Sequence, residues 1–382
     1  MHQPDTNTGT TTAPRAGGGT RRAVELLSSV LTGRAAVEAA LDEIIALTQR
    51  CEVPATAGGA WLRAGLGIAA PAAVWAVLVS DVAEGLRAAA VLVDTFEGGE
   101  RRALLMVGGG GYRAAVAALD DSAATELGRA VASEADVRGC DLHLGELVPD
   151  DLLLAMAWAA DARVETSIPV PLLERPADPS LPLFSGNVRK TLRKAHNRLA
   201  ADGIELRAGV TRDPEEIIAA LPELELAYRD RDEAHGLVCS LDTPAGLATW
   251  SRRLRELARD DLLELSTLHT TGDPHTPDTR GDTTPGNGSE ELVAYVIGVR
   301  DGSSYGILEG RFHTRWARYA PGRLLESAVL ERAFLDPSVA VVDWMTGVAP
   351  ETLLATNRTQ ARVVLHRSCR SRGAAVNGSP ED

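Results

Sequence analysis

Two short stretches of this 382-residue chain concentrate groups able to hold an anion. The first, SGNVRKTLRKAHNRLAADG from Ser185 to Gly203, carries Arg189, Lys190, Arg193, Lys194 and Arg198, and its two lysines are the only ones in the chain. The second is YAPGRLL, Tyr319 to Leu325. Pro321 and Gly322 permit a tight turn there, and a helix starting at that turn leaves its first amides unpaired at the positive end of its dipole. Such a start suits a diphosphate. Pro321, Gly322, Arg323 and Leu324 would form the cradle, with Arg323 and Arg318 adding charge-assisted contacts.

Composition narrows what those groups serve. The formal net charge is −14, which argues against a dedicated DNA or RNA binder but leaves room for a local basic site. Cys51, Cys140, Cys239 and Cys369 lie far apart without a C-x-x-C pair, so no metal site is expected and the thiols read as reduced. The first twenty residues contain no apolar signal core, and runs such as LLLAMAWAA at 152–160 are about half the length of a membrane span. A cytoplasmic protein without a membrane span is expected.

The positioning elements come in a repeated order. Strands are predicted at 75–81, 87–96 and 102–109, followed by a helix at 113–135 and a strand at 140–147. The second series has strands at 262–269, 292–301 and 303–312, a helix at 322–335 and a strand at 339–345, with Asp301-Gly302 as a hairpin turn. Helices precede each series, at 21–49 in the first and at 213–235 and 243–259 in the second. The order α-α-β-β-β-α-β therefore occurs twice, which reads as a duplication. In the basic run Val188, Leu192, Ala195 and Leu199 form one helical stripe, Ser185 is an N-cap and Gly203 a stop, so the cations occupy the outer face. Segments 1–20, 270–290 and 370–382 have almost nothing to bury and are expected to be disordered.

With Arg189–Leu199, YAPGRLLESAVLERAF (319–334) and VVDWMTG (341–347) in this order, the chain resembles the tandem GNAT-fold acyltransferases over roughly residues 60–367. These are the acetyltransferase-like proteins of polysaccharide and natural-product clusters, to which the Fem-type peptidyltransferases are related. The resemblance implies an α/β (α+β) fold of two GNAT-like domains, each a mixed, mostly antiparallel sheet flanked by helices. The boundaries expected are 21–180 for an N-terminal scaffold and 181–369 for a C-terminal domain holding the donor site. It also implies an N-acyltransferase whose co-substrate is acyl-CoA or an acyl carrier protein and whose acceptor is a small-molecule amine.

Roles follow from the same resemblance. Glu309 is the first candidate for the base, on the same strand face as Tyr305 and Ile307; Tyr319 would protonate the leaving thiolate, and Asp343 would be structural or orient the acceptor. Arg231 and His235 fall where the family's loop lines the acceptor pocket, for an acidic or sugar-like acceptor. Arg189, Lys190, Arg193 and Lys194 would meet a phosphate-bearing donor, an acidic carrier or tRNA. Two departures are plain: the glycine-rich phosphate loop of the superfamily is missing, and no Tyr-Lys pair follows the Asp343 strand, where GVAPETLLATNR stands instead. They leave open a Fem-like, aminoacyl-tRNA-dependent transferase and a non-catalytic GNAT-fold binding subunit. The first half has a glycine run, Gly108 to Gly111, without a Pro-Gly helix start, and reads as a scaffold.

Overall fold

The computed structural model describes residues 25–109, 111–178, 182–271, 290–345 and 348–370. Residues 1–20, nearly all of 270–290 and all but the first residue of 370–382 lie outside them. In chain order the first half contains β1 (Leu26–Thr32), α1 (Arg34–Ala39), α2 (Leu41–Arg50), α3 (Gly59–Ile68), β2 (Val74–Asp81), β3 (Gly85–Glu97), β4 (Glu100–Leu105), the two-residue β5 (Ala117–Ala118), α4 (Asp121–Arg138), β6 (Asp141–Leu147), α5 (Asp151–Ala159) and β7 (Arg163–Glu174). The second contains α6 (Gly186–Ala201), β8 (Leu206–Thr211), α7 (Pro214–Ala234), α8 (Pro244–Arg259), β9 (Leu263–Thr270), β10 (Glu291–Asp301), β11 (Ser304–Phe312), α9 (Pro321–Leu335), β12 (Val341–Asp343) and β13 (Arg358–Arg367).

The strands join in one mixed, mostly antiparallel sheet in the order β1-β2-β3-β4-β6-β13-β7-β12-β11-β10-β9-β8. Among the described strands only the β4–β6 and β11–β12 pairs are parallel. The two halves repeat each other about the centre: β1–β4 and β6 on one side match β8–β11 and β12 on the other. The last strand of each half crosses over. β7 pairs with β12, and β13 pairs with β6, so each sheet is completed by the other half's strand. At this crossing β13 buries Arg362 completely, and its guanidinium donates to Asp343 of β12.

Local chemistry sets most element ends. Asp120 caps α4 by accepting from the Ala123 amide at 2.9 Å, and Gly139 closes it at φ 64°. Asp213 and Thr243 cap α7 and α8, each followed by proline at the first helical position. Two expectations need correction. The helix expected over 21–49 begins only at Arg34: residues 26–32 pair antiparallel with β2 along its open edge, and Gly33 turns the chain at φ 87°. The helix expected over 113–135 begins at Asp121, because Ala117 and Ala118 pair with β3 and Asp120 supplies the cap.

Two apolar cores flank the sheet. The first holds α2–α4 of the first half and also takes in Leu254, Leu257, Tyr295 and Ile297 of the second. The second lies around α9 and α6, with Ala195 and Leu199 of α6 buried in it. α6 is thus seated on the second half, and its predicted apolar stripe is the face that packs.

Candidate active site: a cavity through the split of β11 and β12

Parallel pairing of β11 with β12 lasts only from Ser304 to Gly306 against Val341 to Asp343. Past Gly306 the two strands part, and the backbone of β11 facing the gap has no strand partner. On its other side β11 carries a bulge: Ile297 pairs with Glu309 and Gly298 with Ile307, so Leu308 is the extra residue. The bulge reverses the side-chain faces. Tyr305 and Ile307 point to the α9 core, whereas Glu309 shares the opposite face with Tyr295 and Ile297. The expected common face for Tyr305, Ile307 and Glu309 is therefore corrected: an inserted residue shifts the alternation by one.

A cavity of about 730 Å³ occupies the gap. On the α7 side it is walled by Tyr228, Arg231, Tyr295, Glu309 and Arg311; on the α9 side by Phe312, Gly322, Arg323 and Glu326; Trp344, Met345, Val348, Ala349, Thr352 and Leu353 close its rim. Gly111 and Tyr112 of the first half also line it. The first half is therefore not a bare scaffold. Its own β4–β6 gap is occupied by chain: Ala114 bridges to Leu147, and a Cβ on Gly108 would stand 2.6 Å from the Ala114 Cβ. Gly108, Gly109 and Gly111 turn the chain there at positive φ, and Tyr112 stands edge-on to Trp61, ring centroids 5.0 Å apart.

Glu309 is buried, and both its oxygens are held: Tyr295 Oη donates to Oε1 and Trp250 Nε1 donates to Oε2 at 3.1 Å. Burial pushes its pKa up, against the pull of the Arg311 charge and these two donors. Burial likewise lifts the Tyr112 hydroxyl to about 12, with the Glu309 charge adding to it. Glu326, one turn into α9, is pushed up to about 7 by burial; the Leu354 amide at 3.5 Å and the Arg323 charge only partly offset this.

At the mouth, α9 starts at Pro321 behind Ala320, which sits at φ 51° and offers no side-chain cap. The amides of Gly322 and Arg323 are left without helix partners. The Leu324 amide is not: it bonds the Ala320 carbonyl at 3.2 Å, and the Leu324 side chain is in the core, so Leu324 leaves the expected cradle. A Cβ on Gly322 would come within 3.1 Å of Phe312 Cδ1.

Other predicted residues lie elsewhere. Tyr319 is buried against Trp316 and its hydroxyl donates to Asp202 Oδ2 at 2.7 Å; it does not line the cavity. Arg318 pairs with the same Asp202 at 2.8 Å. Asp343 is committed to Arg362 and, at 2.8 Å, to the Met345 amide, and it borders a different cleft. His235 ends α7 on the surface, its Nδ1 at 2.7 Å from the Arg231 carbonyl. Arg189, Lys190, Arg193 and Lys194 are exposed on α6, outside the cavity, and meet no carboxylate among the described residues. α6 nevertheless abuts the turn that feeds α9, where Arg198 donates to the Arg318 carbonyl at 2.8 Å. Sequence reasoning missed Tyr112, Tyr295, Trp250, Arg311 and Glu326. Only Glu326 carried a local signal, as an acid one turn below the Pro-Gly start.

The cleft bordered by Asp343 is larger, about 1060 Å³, and lies between the halves. Its arginines are mostly spent: Arg63 pairs with Glu256 and Asp260, Arg300 with Asp336 and Arg358 with Glu174. The uncapped start of α3 at Gly59 lines it too, but the parting of β11 from β12 opens into the other cavity, which is the better reaction site.

Residues 186–351 match the family described as acetyltransferase (GNAT) domain. The second half of the chain carries a GNAT acetyltransferase domain. No curated protein matches the chain in sequence. Among solved structures it is similar to FemX at 9% identity, covering 88% of this chain and 98% of that one with a TM-score of 0.58. It is similar to a conserved protein of unknown function from Bacteroides thetaiotaomicron at 12% identity, covering 86% and 96% with a TM-score of 0.50. A tandem GNAT protein from the clavulanic acid biosynthesis pathway aligns at 16% identity over 94% and 100%, with a TM-score of 0.48. At these identities the likeness to FemX and the Bacteroides protein is one of fold. With the family match, the second half is a GNAT acetyltransferase domain, and the whole chain shares the fold of FemX. No described helix is long and apolar enough to cross a membrane.

Proposed function

We propose that the protein transfers an acyl group from a thioester donor to the nitrogen of a small-molecule amine, and that the reaction takes place in the split-strand cavity. The carrying observation is that one cavity joins an open helix start on one face of the sheet to a buried carboxylate, Glu309, on the other. The donor's phosphate rests on the Gly322 and Arg323 amides with the Arg323 guanidinium beside it. Its pantetheine arm crosses the gap between β11 and β12, where unpaired backbone of β11 receives the carbonyl. The acceptor enters from the α7 side. Glu309 takes a proton from the neutral amine as its nitrogen bonds the carbonyl carbon, and the C–S bond breaks. The leaving sulfur gains a proton from Glu326, which at about 7 is half protonated at neutral pH and takes the role first expected of Tyr319. The products are an amide and a free thiol. On this reading residues 21–180 contribute a wall of the acceptor pocket and residues 181–369 the donor site, in a biosynthetic pathway of the cytoplasm.

Acyl-CoA is the first donor to test. The purified full chain, given acetyl-CoA and longer acyl-CoAs with mixed amines, is expected to release free thiol in an amine-dependent way. Absence of release with every pair would return the chain to the non-catalytic reading. The four unpaired cations of α6 favour a second reading, in which the acyl group arrives on a larger anionic carrier, an acidic protein or tRNA, resting on that helix. Thiol release that needs acyl carrier protein, or amide formation that needs charged tRNA and is abolished by ribonuclease, would select it.

A further inference from the structure

The α7 side of the cavity holds two guanidinium groups and no carboxylate spent on both. Arg231 projects from α7, and its nearest acid is Asp232, 3.9 Å away. Arg311 projects from β11 with its guanidinium 4.4 Å above the Tyr228 ring. Its Nη1 reaches only the Gly310 carbonyl at 3.0 Å, and its buried Nε has no partner. Glu309, the anion nearest by sequence, is turned to Tyr295 and Trp250 and forms no ion pair with either arginine. Burial lowers the proton affinity of Arg231, and the like charge of Arg311 lowers it further. The Glu309 and Asp232 charges hold the Arg311 guanidinium charged, but neither arginine has a carboxylate at hydrogen-bond distance, so both keep donors free for an anionic ligand.

We infer that the group these free donors take belongs to the acceptor: the substrate is an amine that carries a carboxylate, held by Arg231 and Arg311 while its nitrogen faces Glu309. Guanidinium forks match a carboxylate in bidentate geometry. A single negative charge fits better than a phosphate dianion, because Glu309 and the buried Asp232 stand close by. The walls around the site, Tyr112, Tyr228 and Tyr295, give the acceptor body flat apolar faces with hydroxyls attached. Tyr112 arrives from the first half, so the acceptor pocket is complete only when both halves are present.

This inference rests on the acyl-transfer reading, and the experiment separates the two. Full-length protein with acyl-CoA is offered paired acceptors: amino acids and their carboxamides, a carboxylate-bearing amino sugar and plain glucosamine, and phosphoethanolamine. Thiol release should be at least tenfold faster, as kcat/KM, for the carboxylate member of the best pair. Arg311→Met and, separately, Arg231→Met should shrink that ratio at least tenfold while leaving the Kd for CoA unchanged. Binding of N-acetyl amino acids against their carboxamides, by calorimetry, gives the same comparison without turnover. Equal rates for neutral amines, preference for phosphoethanolamine, or equal binding of acid and amide would each overturn the inference. Loss of thiol release with every acceptor, alongside selective binding of the acids, would instead overturn the acyl-transfer reading and keep the pocket assignment.

Discussion

Glu326 offers the sharpest quantitative test of the cavity. Its carboxyl goes from an ordinary 4.5 to about 7 because the folded chain takes it out of water. An acid whose folded pKa is raised binds its proton more tightly in the native state, so stability is full below the unfolded value and falls as pH rises toward the folded one. A shift of this size corresponds to about 3 kcal/mol lost above pH 7, and to under about 1 kcal/mol lost at pH 5. Glu326→Gln keeps the shape and the acceptor for the Leu354 amide but removes the ionisation. The variant should therefore gain stability over the parent as pH rises, by about 3 kcal/mol at pH 8, a Tm difference of roughly 3–5 °C. Urea unfolding of both proteins at pH 5, 6, 7 and 8 reads this directly. A Gln variant whose advantage is the same at pH 5 and pH 8, or that is less stable at pH 8, would refute the claim that burial dominates this carboxyl. If Glu326 also protonates the leaving sulfur, the variant's kcat should fall and the rate decline above about pH 7 should disappear.

Four other outcomes are expected. Glu309→Gln should leave CoA binding unchanged and lower the transfer rate by about 10²–10⁴, measured by thiol release. Gly322→Val should weaken CoA binding by calorimetry with little change in Tm, because its Cβ must push Phe312 from 3.1 Å and crowd the donor cradle. Tyr112→Ala should raise KM for the acceptor and leave that for the donor, showing that the first half enters the acceptor pocket. Asp343→Asn should cost about 3–5 kcal/mol in urea unfolding, since it leaves the fully buried Arg362 without its counter-charge at the strand exchange.

Much of this was legible in the chain. The Pro-Gly start of α9, the basic outer face of α6, the Asp301-Gly302 hairpin and the capped starts of α7 and α8 are set by residues within a few positions of each other, and they stand where the sequence put them. The strands at the sheet edges and the crossing were harder. LLSSVLT reads equally as one face of a helix, and only the open edge of β2 makes it β1. β7 and β13 carry no signal that each completes the other half's sheet.

By itself, then, the sequence determined the repeated order of elements, the anion-ready helix start and the presence of an acid on the strand after the Asp301-Gly302 hairpin. The tertiary structure decided which way that acid faces, because the bulge at Leu308 depends on register against β10, a pairing partner outside the strand's own sequence. It decided that Tyr319 and Asp343 are spent on Asp202 and Arg362, while Glu326, Arg311 and Tyr112 face the cavity. Caps and turns are short-range contacts between neighbours in the chain, whereas burial, charge partners and strand exchange join residues scores or hundreds of positions apart and exist only once the sheet has closed.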